Sequence, residues 1–168
     1  MITAEEIRQL EDNCGTPKIV LMENAGKAIY ETLKEKFDLK DKRTLVVAYH
    51  GNNGGDGFVA ARHLCNDAEV DVLFVGDEAK LTEEALANFK KIENNEKLQV
   101  LTLESVDFSD YDIIIDAIFG TGIEGEIKDP LATLIKNLGK AKAYKVSIDV
   151  PSGINPDTGE KSNVYFEP

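Results

Sequence analysis

The apolar positions of this sequence fall into short continuous runs that are separated by longer amphipathic segments. The run at 44–49, Thr-Leu-Val-Val-Ala-Tyr, is short and partly β-branched, which predicts a strand buried on both faces. The same pattern predicts further strands at 70–75, 99–103, 112–117 and 144–150. The amphipathic segments predict helices at 4–13, 19–37, 56–66, 83–93 and 129–138.

Strands that alternate with helices indicate an α/β fold: a doubly wound, parallel sheet with helices on both faces. Thr3 and Glu6 form a capping box before the first helix, and Asp129 and Pro130 are typical of a helix start. The length of 168 residues is that of one ordinary domain. Because no repeat, low-complexity tract or linker interrupts the pattern, we predict a single domain over 1–168.

Charge and composition restrict the function. The net charge of −12, with basic residues scattered among acidic ones, argues against nucleic acid as a partner. The longest apolar runs are too short to cross a bilayer and the N-terminus lacks a signal-peptide core, so we predict no membrane association and a cytoplasmic location. The two cysteines, Cys14 and Cys65, fit neither a disulfide framework nor a metal spacing. They are expected to be reduced, half-buried and inert.

Polar residues follow three of the five predicted strands. In doubly wound sheets the ligand lies beyond the carboxyl ends of the strands, at the switch point in strand order. The polar strand ends are 51–57, Gly-Asn-Asn-Gly-Gly-Asp-Gly; 116–126, Asp-Ala-Ile-Phe-Gly-Thr-Gly-Ile-Glu-Gly-Glu; and 149–153, Asp-Val-Pro-Ser-Gly. The strands at 70–75 and 99–103 are followed by ordinary charged turns. We therefore predict that the three polar ends converge on one ligand site.

The first polar end, 51–57, has four glycines in seven residues and predicts a turn that leads into a helix. Glycine tolerates positive φ and close approach of a ligand, and successive N–H groups before a helix form a nest for a phosphate. The spacing matches neither the dinucleotide G-x-G-x-x-G fingerprint nor a P-loop. The structural alternative is a plain turn with Asp56 as N-cap, but adjacent Asn and Gly pairs exceed what such a turn needs.

The other two polar ends place Asp116 and Asp149 after apolar strands, where a buried carboxylate must be solvated, paired or bound to a cation. A Pro-Ser-Gly turn holds the hydroxyl of Ser152 in a defined place. Asn53, Asp116 and Ser152 offer only oxygen ligands, which suit a hard monovalent or divalent cation and not zinc. For each motif alone, a capping Asp or a turn Ser is the structural alternative.

Four segments closely resemble the motifs of the YjeF N-terminal domain family, in order and spacing. They are Leu-Met-Glu-Asn-Ala-Gly at 21–26, Asn-Asn-Gly-Gly-Asp-Gly at 52–57 with Ala-Arg-His-Leu at 61–64, Asp-Ala-Ile-Phe-Gly-Thr-Gly at 116–122, and Ile-Asp-Val-Pro-Ser-Gly at 148–153. The resemblance implies a Rossmann-like, three-layer αβα sandwich with a mostly parallel central sheet. In the family's enzymatic members it also implies NAD(P)H-hydrate epimerase activity.

That isomerase reaction interconverts the R and S forms of NAD(P)HX, which is hydrated at C6 of the nicotinamide ring. A separate ATP- or ADP-dependent dehydratase then restores the S form to NAD(P)H. Carried over by motif, the resemblance implies a potassium ion held by Asn53, Asp116 and Ser152, and it suggests a homodimer with the helices of 1–40 at the interface. The residues expected to contact the hydrated dinucleotide are Asn52, Asn53, Gly54, Gly55, Asp56, Gly120, Thr121, Gly122, Ile123, Glu124, Gly125, Glu126 and Asp149.

Epimerisation at C6 requires loss of hydroxide to form an iminium and re-addition of water to the other face, and a carboxyl group can assist both halves. We predict Asp149 as this general acid and base, with Asp56 second.

The alternative function is a non-catalytic nucleotide-binding or scaffold module of the same fold, but the presence of Asp56, Asp116 and Asp149 together favours the enzyme. A third alternative, a generic Rossmann oxidoreductase, is disfavoured because this sequence lacks the glycine fingerprint of such enzymes. No Arg marks a 2′-phosphate site, so both NADHX and NADPHX stay open as substrates.

Two features depart from the family pattern. Tyr49 and His50 stand where the family's first strand usually continues into a glycine-containing segment. We interpret His50 and His63 as turn and helix-surface histidines. Family domains usually run well beyond the Pro-Ser-Gly motif, so we expect either a short member or part of a longer chain, with 163–166 as a stub of further sheet.

Overall fold

The computed structural model describes residues 2–121 and 125–168. Within these residues two helices precede a regular alternation of strands and helices. The α-helices are α1 (Ala4–Asn13), α2 (Lys18–Lys36), α3 (Asn52–Leu64), α4 (Glu83–Glu93) and α5 (Leu131–Lys140). The strands are β1 (Arg43–Ala48), β2 (Glu69–Phe74), β3 (Leu98–Leu101), β4 (Ile113–Ala117) and β5 (Tyr144–Ser147).

The five strands in the described residues form one sheet in the order β3-β2-β1-β4-β5, and all neighbouring pairs are parallel. β1 is central, because Val46 pairs in register with Val72 of β2 and with Ile115 of β4. The chain passes from β1 to β2 on one side and returns on the other side at β4. The switch point therefore lies between the carboxyl ends of β1 and β4.

Alternate residues of the central strand face two separate cores. Val46 and Ala48 pack with residues of α2, α3 and α4, whereas Leu45 and Val47 pack with residues of α5. All four side chains are fully buried, and burial of each of the larger ones stabilises the fold by about 1.5–3 kcal/mol. Helices thus cover both faces of a parallel sheet, which confirms the predicted three-layer αβα sandwich.

The helix after β1 starts earlier than predicted, at Asn52, with Gly51 as its N-cap. The predicted Gly/Asn turn is therefore the first part of α3, and none of its glycines has a positive φ. Glycine is required there by close packing: a Cβ at Gly54 would lie 1.8 Å from the carbonyl oxygen of Tyr49. The tolerance of glycine for positive φ is therefore not used in this segment, and close contacts with the preceding loop and the sheet exclude a side chain instead.

The C-terminal segment also differs from the prediction. β5 ends at Ser147, which places Asp149 in the loop beyond the strand. Residues 163–166 form no strand; instead Phe166 is fully buried in the core on the α5 side of the sheet. Its N–H donates to the carbonyl of Ser152 at 2.7 Å, so this segment supports the Pro-Ser-Gly turn.

Smaller differences concern the cysteines and α5. The cysteines are not half-buried, since Cys14 is exposed and Cys65 is buried. Pro130 is the N-cap of α5 and not its first helical residue, although the Asp129 carboxylate still accepts the N–H of Thr133 at 3.0 Å. Within 2–121 and 125–168, no helix is long and apolar enough to span a membrane.

Candidate functional site

A cavity of about 690 Å³ opens at the carboxyl ends of β1, β4 and β5. Its volume falls within the range of small-molecule sites, which is roughly 300–1,000 Å³. The three predicted strand ends converge here, and α1 closes one side. The cavity is lined by 49–53 and Asp56 after β1, by 118–121 after β4, by Ile148 and Asp149 after β5, and by Ile7, Arg8 and Glu11 of α1.

Asp149 is held against the loop that follows β4. Its Oδ2 accepts the N–H of Thr121 at 3.1 Å. Gly120 permits this approach, because a Cβ at that position would lie 2.6 Å from Asp149 Oδ2. The same Cβ would lie 3.5 Å from the Cβ of Asn53. Residues from all three predicted motifs therefore meet around Gly120.

Asp56 lies in the second turn of α3 and lines the same cavity. Burial raises the pKa of Asp56 to about 7, and the negative charges of Asp149 and Glu11 add to the rise. A carboxyl group with a pKa near 7 is present in both protonated and ionised forms at neutral pH. It can therefore donate a proton in one step and accept one in another.

Asp116 lies within β4 and is fully buried. Its Oδ1 accepts from Ser152 Oγ at 2.6 Å and from the N–H of Ile118 at 3.2 Å. Its Oδ2 accepts from the N–H of Ser152 at 2.8 Å and from Ser147 Oγ at 3.3 Å. Despite these bonds, burial raises the pKa of Asp116 to about 6. A neighbouring cation would favour the charged form.

The side-chain amide of Asn53 lacks hydrogen-bond partners among the described residues. The residue is only 9% exposed, and neither Oδ1 nor Nδ2 has a hydrogen-bond partner among the described residues. A buried amide left in this state costs about 1–3 kcal/mol, so a ligand or ion is expected to complete it. Asp116 and Ser152, which are hydrogen-bonded to each other, and the Asn53 amide offer oxygen ligands, which suit a hard cation.

The remaining residues that were predicted to contact the ligand lie in different places: at the cavity, inside α3, in an exposed loop, or outside the described residues. Asn52 lines the cavity and its Oδ1 accepts the Thr82 hydroxyl at 3.0 Å. Gly54 and Gly55 are buried inside α3, where Gly55 faces the side chain of Met22. Contact of these two glycines with a ligand stays a prediction. Gly125 and Glu126 are exposed and described, whereas Gly122, Ile123 and Glu124 lie outside the described residues.

Sequence reasoning missed the contribution of α1 and of two aromatic rings. Ile7, Arg8 and Glu11 of α1 line the cavity, as do Tyr49 and Phe119, whose ring centroids are 5.3 Å apart. The capping box correctly predicted that α1 is a helix. Nothing in its local pattern indicates where it packs, because its anchors are long-range hydrogen bonds.

The two histidines have structural partners. His50 Nδ1 accepts the N–H of Asp77 at 3.3 Å, and burial lowers the pKa of His50. His63 Nε2 lies 2.8 Å from Glu23 Oε1, and Arg62 also pairs with this carboxylate. Both histidines therefore agree with the turn and helix interpretations, although His50 lines the cavity.

A doubly wound sheet whose switch point carries carboxylates, and an amide without a partner among the described residues, defines an α/β protein with a cavity suited to a small polar ligand. The family described as YjeF-related protein N-terminus has a model that matches residues 18–168. The chain belongs to this family, as its motifs predicted.

Several known proteins are similar to this chain. It is 38% identical to an NAD(P)H-hydrate epimerase of Nitrosopumilus maritimus (strain SCM1), over 98% of this chain and 80% of the relative. An NAD(P)H-hydrate epimerase of Lentilactobacillus buchneri (strain NRRL B-30929) is also 38% identical, over 95% of this chain and 75% of the relative. A bifunctional NAD(P)H-hydrate repair enzyme Nnr of Pyrobaculum aerophilum is 42% identical, and the match spans only 30% of that longer protein and 87% of this chain.

The fold has a close counterpart among solved structures. The crystal structure of yeast ynu0, YNL200c, matches with a TM-score of 0.87 at 26% identity, over 100% of this chain and 77% of that chain.

Proposed function

We propose that this chain is an NAD(P)H-hydrate epimerase, an isomerase that interconverts the R and S forms of hydrated NADH and NADPH. The observation that carries the proposal is the presence of two carboxyl groups, Asp56 and Asp149, on one cavity at the switch point of the sheet. The similarity to two relatives named NAD(P)H-hydrate epimerase supports it, because each match covers nearly all of this chain.

The reaction moves a proton in each of its two halves. When the C6–O bond breaks, an acid gives its proton to the departing hydroxyl, which leaves as water, and the ring becomes an iminium. When a water molecule adds to the opposite face, a base takes its proton and the hydroxyl group is restored. Asp149 is our first candidate for these transfers, oriented by the N–H of Thr121. Asp56, whose pKa is about 7, supplies a protonated carboxyl at neutral pH.

The cavity also has groups suited to the rest of the dinucleotide. The first N–H groups of α3 have no partners within the helix, and Asn52 and Asn53, which begin it, line the cavity, which favours a phosphate there. The rings of Tyr49 and Phe119 form an apolar wall against which a flat ring can pack. These features support a nucleotide ligand of the NAD(P)HX type.

A potassium ion is part of the proposal, held by Asn53, Asp116 and Ser152. The amide of Asn53, which has no partner among the described residues, and the full burial of the Asp116 carboxylate support this assignment. When bound, the ion would supply the positive charge that keeps Asp116 ionised. Through these three side chains the ion would hold the carboxyl end of β4 to the segments that follow β1 and β5.

We further propose that the chain acts together with an ATP- or ADP-dependent NAD(P)HX dehydratase. The relative from Pyrobaculum aerophilum, named a bifunctional NAD(P)H-hydrate repair enzyme, supports such a coupling. The homodimer, the cytoplasmic location and the single domain over 1–168 stay predictions. Ile2, Leu10 and Val20, three exposed apolar residues at the start of the chain, are compatible with an interface there.

A coupled assay tests the proposed function. The purified chain is mixed with R-NADPHX, KCl, ATP and a dehydratase specific for the S form, and NADPH absorbance is followed. We expect NADPH to form much faster than spontaneous epimerisation allows. If a folded protein that binds NADPHX leaves the rate unchanged, the site serves recognition only and the scaffold alternative replaces the enzyme.

A further inference from the structure

The cavity is acidic for a site that is proposed to bind a nucleotide. Glu11, Asp56 and Asp149 line it, and His50 is neutral at neutral pH because burial lowers its pKa. Among the lining residues that the structure describes, Arg8 is the one side chain with a fixed positive charge. NADHX and NADPHX both carry a diphosphate, and NADPHX carries an additional 2′-phosphate. Compensation of this negative charge by a side chain therefore falls on Arg8.

The guanidinium of Arg8 has donors to spare. Its Nη2 donates to the carbonyl of Thr121 at 2.8 Å. Its Nη1 lies 3.8 Å from Glu5 on the same helix, and the side chain is 48% exposed. Since a guanidinium has five N–H donors in a planar fork, most of them remain able to bind a phosphate. The N–H of Thr121 in turn donates to Asp149, so Arg8 lies beside the predicted acid and base.

Arg8 also stands where two cavities meet. A smaller cavity of about 210 Å³ lies beside the main one and shares five lining residues with it: Arg8, Glu11, Ala25, Asn52 and Asp56. Lys18 of α2 lines only the smaller cavity and is paired with Asp12 at 2.9 Å. A dinucleotide has two ring-bearing halves joined by a diphosphate. If it occupies both cavities, its diphosphate lies at this junction, next to Arg8 and the N-terminus of α3.

We infer that Arg8 binds a phosphate group of the hydrated dinucleotide at the junction of the two cavities. The inference rests on the proposed function, because the ligand is the substrate named there. The phosphate is either the diphosphate, common to both substrates, or the 2′-phosphate of NADPHX. α1, which is the N-terminal helix, then contributes to substrate binding in addition to closing the cavity.

Three variants separate charge from structure. Arg8→Gln removes the charge but keeps an N–H donor for the Thr121 carbonyl. Arg8→Lys keeps the charge without the fork. Lys27→Gln is the matched control, because Lys27 is an exposed helical cation with an intrahelical ion pair to Glu31 at 3.3 Å, as Arg8 has with Glu5.

The dissociation constants of NADHX and NADPHX are measured by equilibrium dialysis at constant potassium and increasing choline chloride. Arg8→Gln is expected to raise the dissociation constant about ten- to a hundredfold, as for loss of a hydrogen bond to a charged group. Arg8→Lys should restore part of the affinity, and Lys27→Gln should change it by less than about twofold. The salt dependence of binding should be weaker in Arg8→Gln than in the wild type.

Each outcome decides the inference. An equal loss for both ligands supports contact with the diphosphate, and a loss confined to NADPHX supports contact with the 2′-phosphate. If Arg8→Gln binds both ligands like the wild type and with the same salt dependence, the inference is overturned and Arg8 only ties α1 to the loop after β4. A wild-type protein that neither binds nor epimerises NAD(P)HX would instead overturn the proposed function, and the inference with it.

Discussion

At the scale of single residues, the two carboxyl groups that we propose for proton transfer have different surroundings. Asp149 is exposed and accepts the N–H of Thr121. Asp56 is partly buried, and burial is the main cause of its raised pKa. Asp56, with a pKa of about 7, can therefore both give and take a proton at neutral pH, while Asp149 faces the same cavity from the loop after β5.

Removing either group should therefore slow turnover. Asp149→Asn and Asp56→Asn are each expected to lower kcat by about 10²–10⁴-fold, the usual contribution of general acid–base catalysis. Asp41→Asn is the control. Asp41 precedes the amino end of β1, whereas the cavity lies at the carboxyl ends of the strands, and its positive φ is one that Asn tolerates. Steady-state kinetics with NADPHX measures the effect. Full turnover by Asp149→Asn would show that Asp149 is not the acid or base.

Asp56 should also make folding stability depend on pH. Its pKa is about 7 in the folded protein, against 3.8 as the ordinary value. Between these values the folded state keeps a proton that the unfolded state has lost, so the free energy of unfolding falls as pH rises. The slope from this group is at most about 1.4 kcal/mol per pH unit. Below about pH 4 both states are protonated and this penalty is absent.

Urea unfolding of the wild type and of Asp56→Asn, at several pH values from 5 to 8, measures this dependence. The variant should gain stability relative to the wild type as pH rises, and the gain should level off above about pH 7. A difference in unfolding free energy that stays constant over this range would contradict the raised pKa.

At the scale of elements, α3 both carries residues of the candidate site and packs closely against neighbouring elements. Its first turn holds Asn53, its second turn holds Asp56, and its glycines allow neighbouring elements to approach closely. At Gly57 a Cβ would lie 2.6 Å from the Cβ of Ala117 in β4. On α2, a Cβ at Gly26 would lie 2.6 Å from the carbonyl oxygen of Asp56. The position of Asp56 therefore depends on glycines in two helices.

Gly54→Ala tests this packing. The added Cβ would meet the Tyr49 carbonyl, a backbone group that cannot move aside cheaply, so we expect a loss of at least about 3 kcal/mol in the free energy of unfolding. Gly139→Ala in α5 is the control, because a Cβ there meets no atom within 4 Å. That change should stabilise by roughly 0.5–1 kcal/mol. Chemical denaturation of both variants checks the contrast, and equal effects would refute it.

The sequence alone predicted those helices and strands whose pattern is local. The apolar runs predicted all five strands to within a few residues, and the Asp116–Ser152 contact follows from the neighbouring carboxyl ends of β4 and β5. The start of α3 could not be predicted, because glycine-rich segments favour turns and only contacts with distant residues require glycine in that helix. The position of α1 depends on hydrogen bonds from Arg8 to Thr121 and from Ala4 to Asp157, which leave no local pattern.

At the scale of the whole molecule, the candidate site is assembled from parts of the chain that are far apart in sequence. Asn53, Asp116 and Ser152 belong to three different strand ends. An ion bound by all three can bind the folded state but not the unfolded state. Such binding stabilises the fold by mass action, by about 2.7 kcal/mol at a concentration one hundred times the dissociation constant.

Potassium should therefore raise the melting temperature of the wild type. We expect a higher Tm in KCl than in choline chloride of the same ionic strength, and little difference between the two salts for Asn53→Ala and Ser152→Ala. Thr133→Ala is the control, since Thr133 lies in α5 away from the site, and it should keep the potassium effect. Thermal unfolding followed by circular dichroism gives these values. Equal Tm values for the wild type in both salts would count against the potassium site.

As an epimerase, the chain should interconvert the two epimers without changing their equilibrium ratio. The most direct test starts from pure R-NADHX and from pure S-NADHX, with potassium but no coupling enzyme, and resolves the two forms by chromatography over time. We expect the chain to speed the approach to the same mixture from both sides, and Asp149→Asn to do so far more slowly. Rates no faster than in buffer, or consumption of one form without appearance of the other, would contradict it.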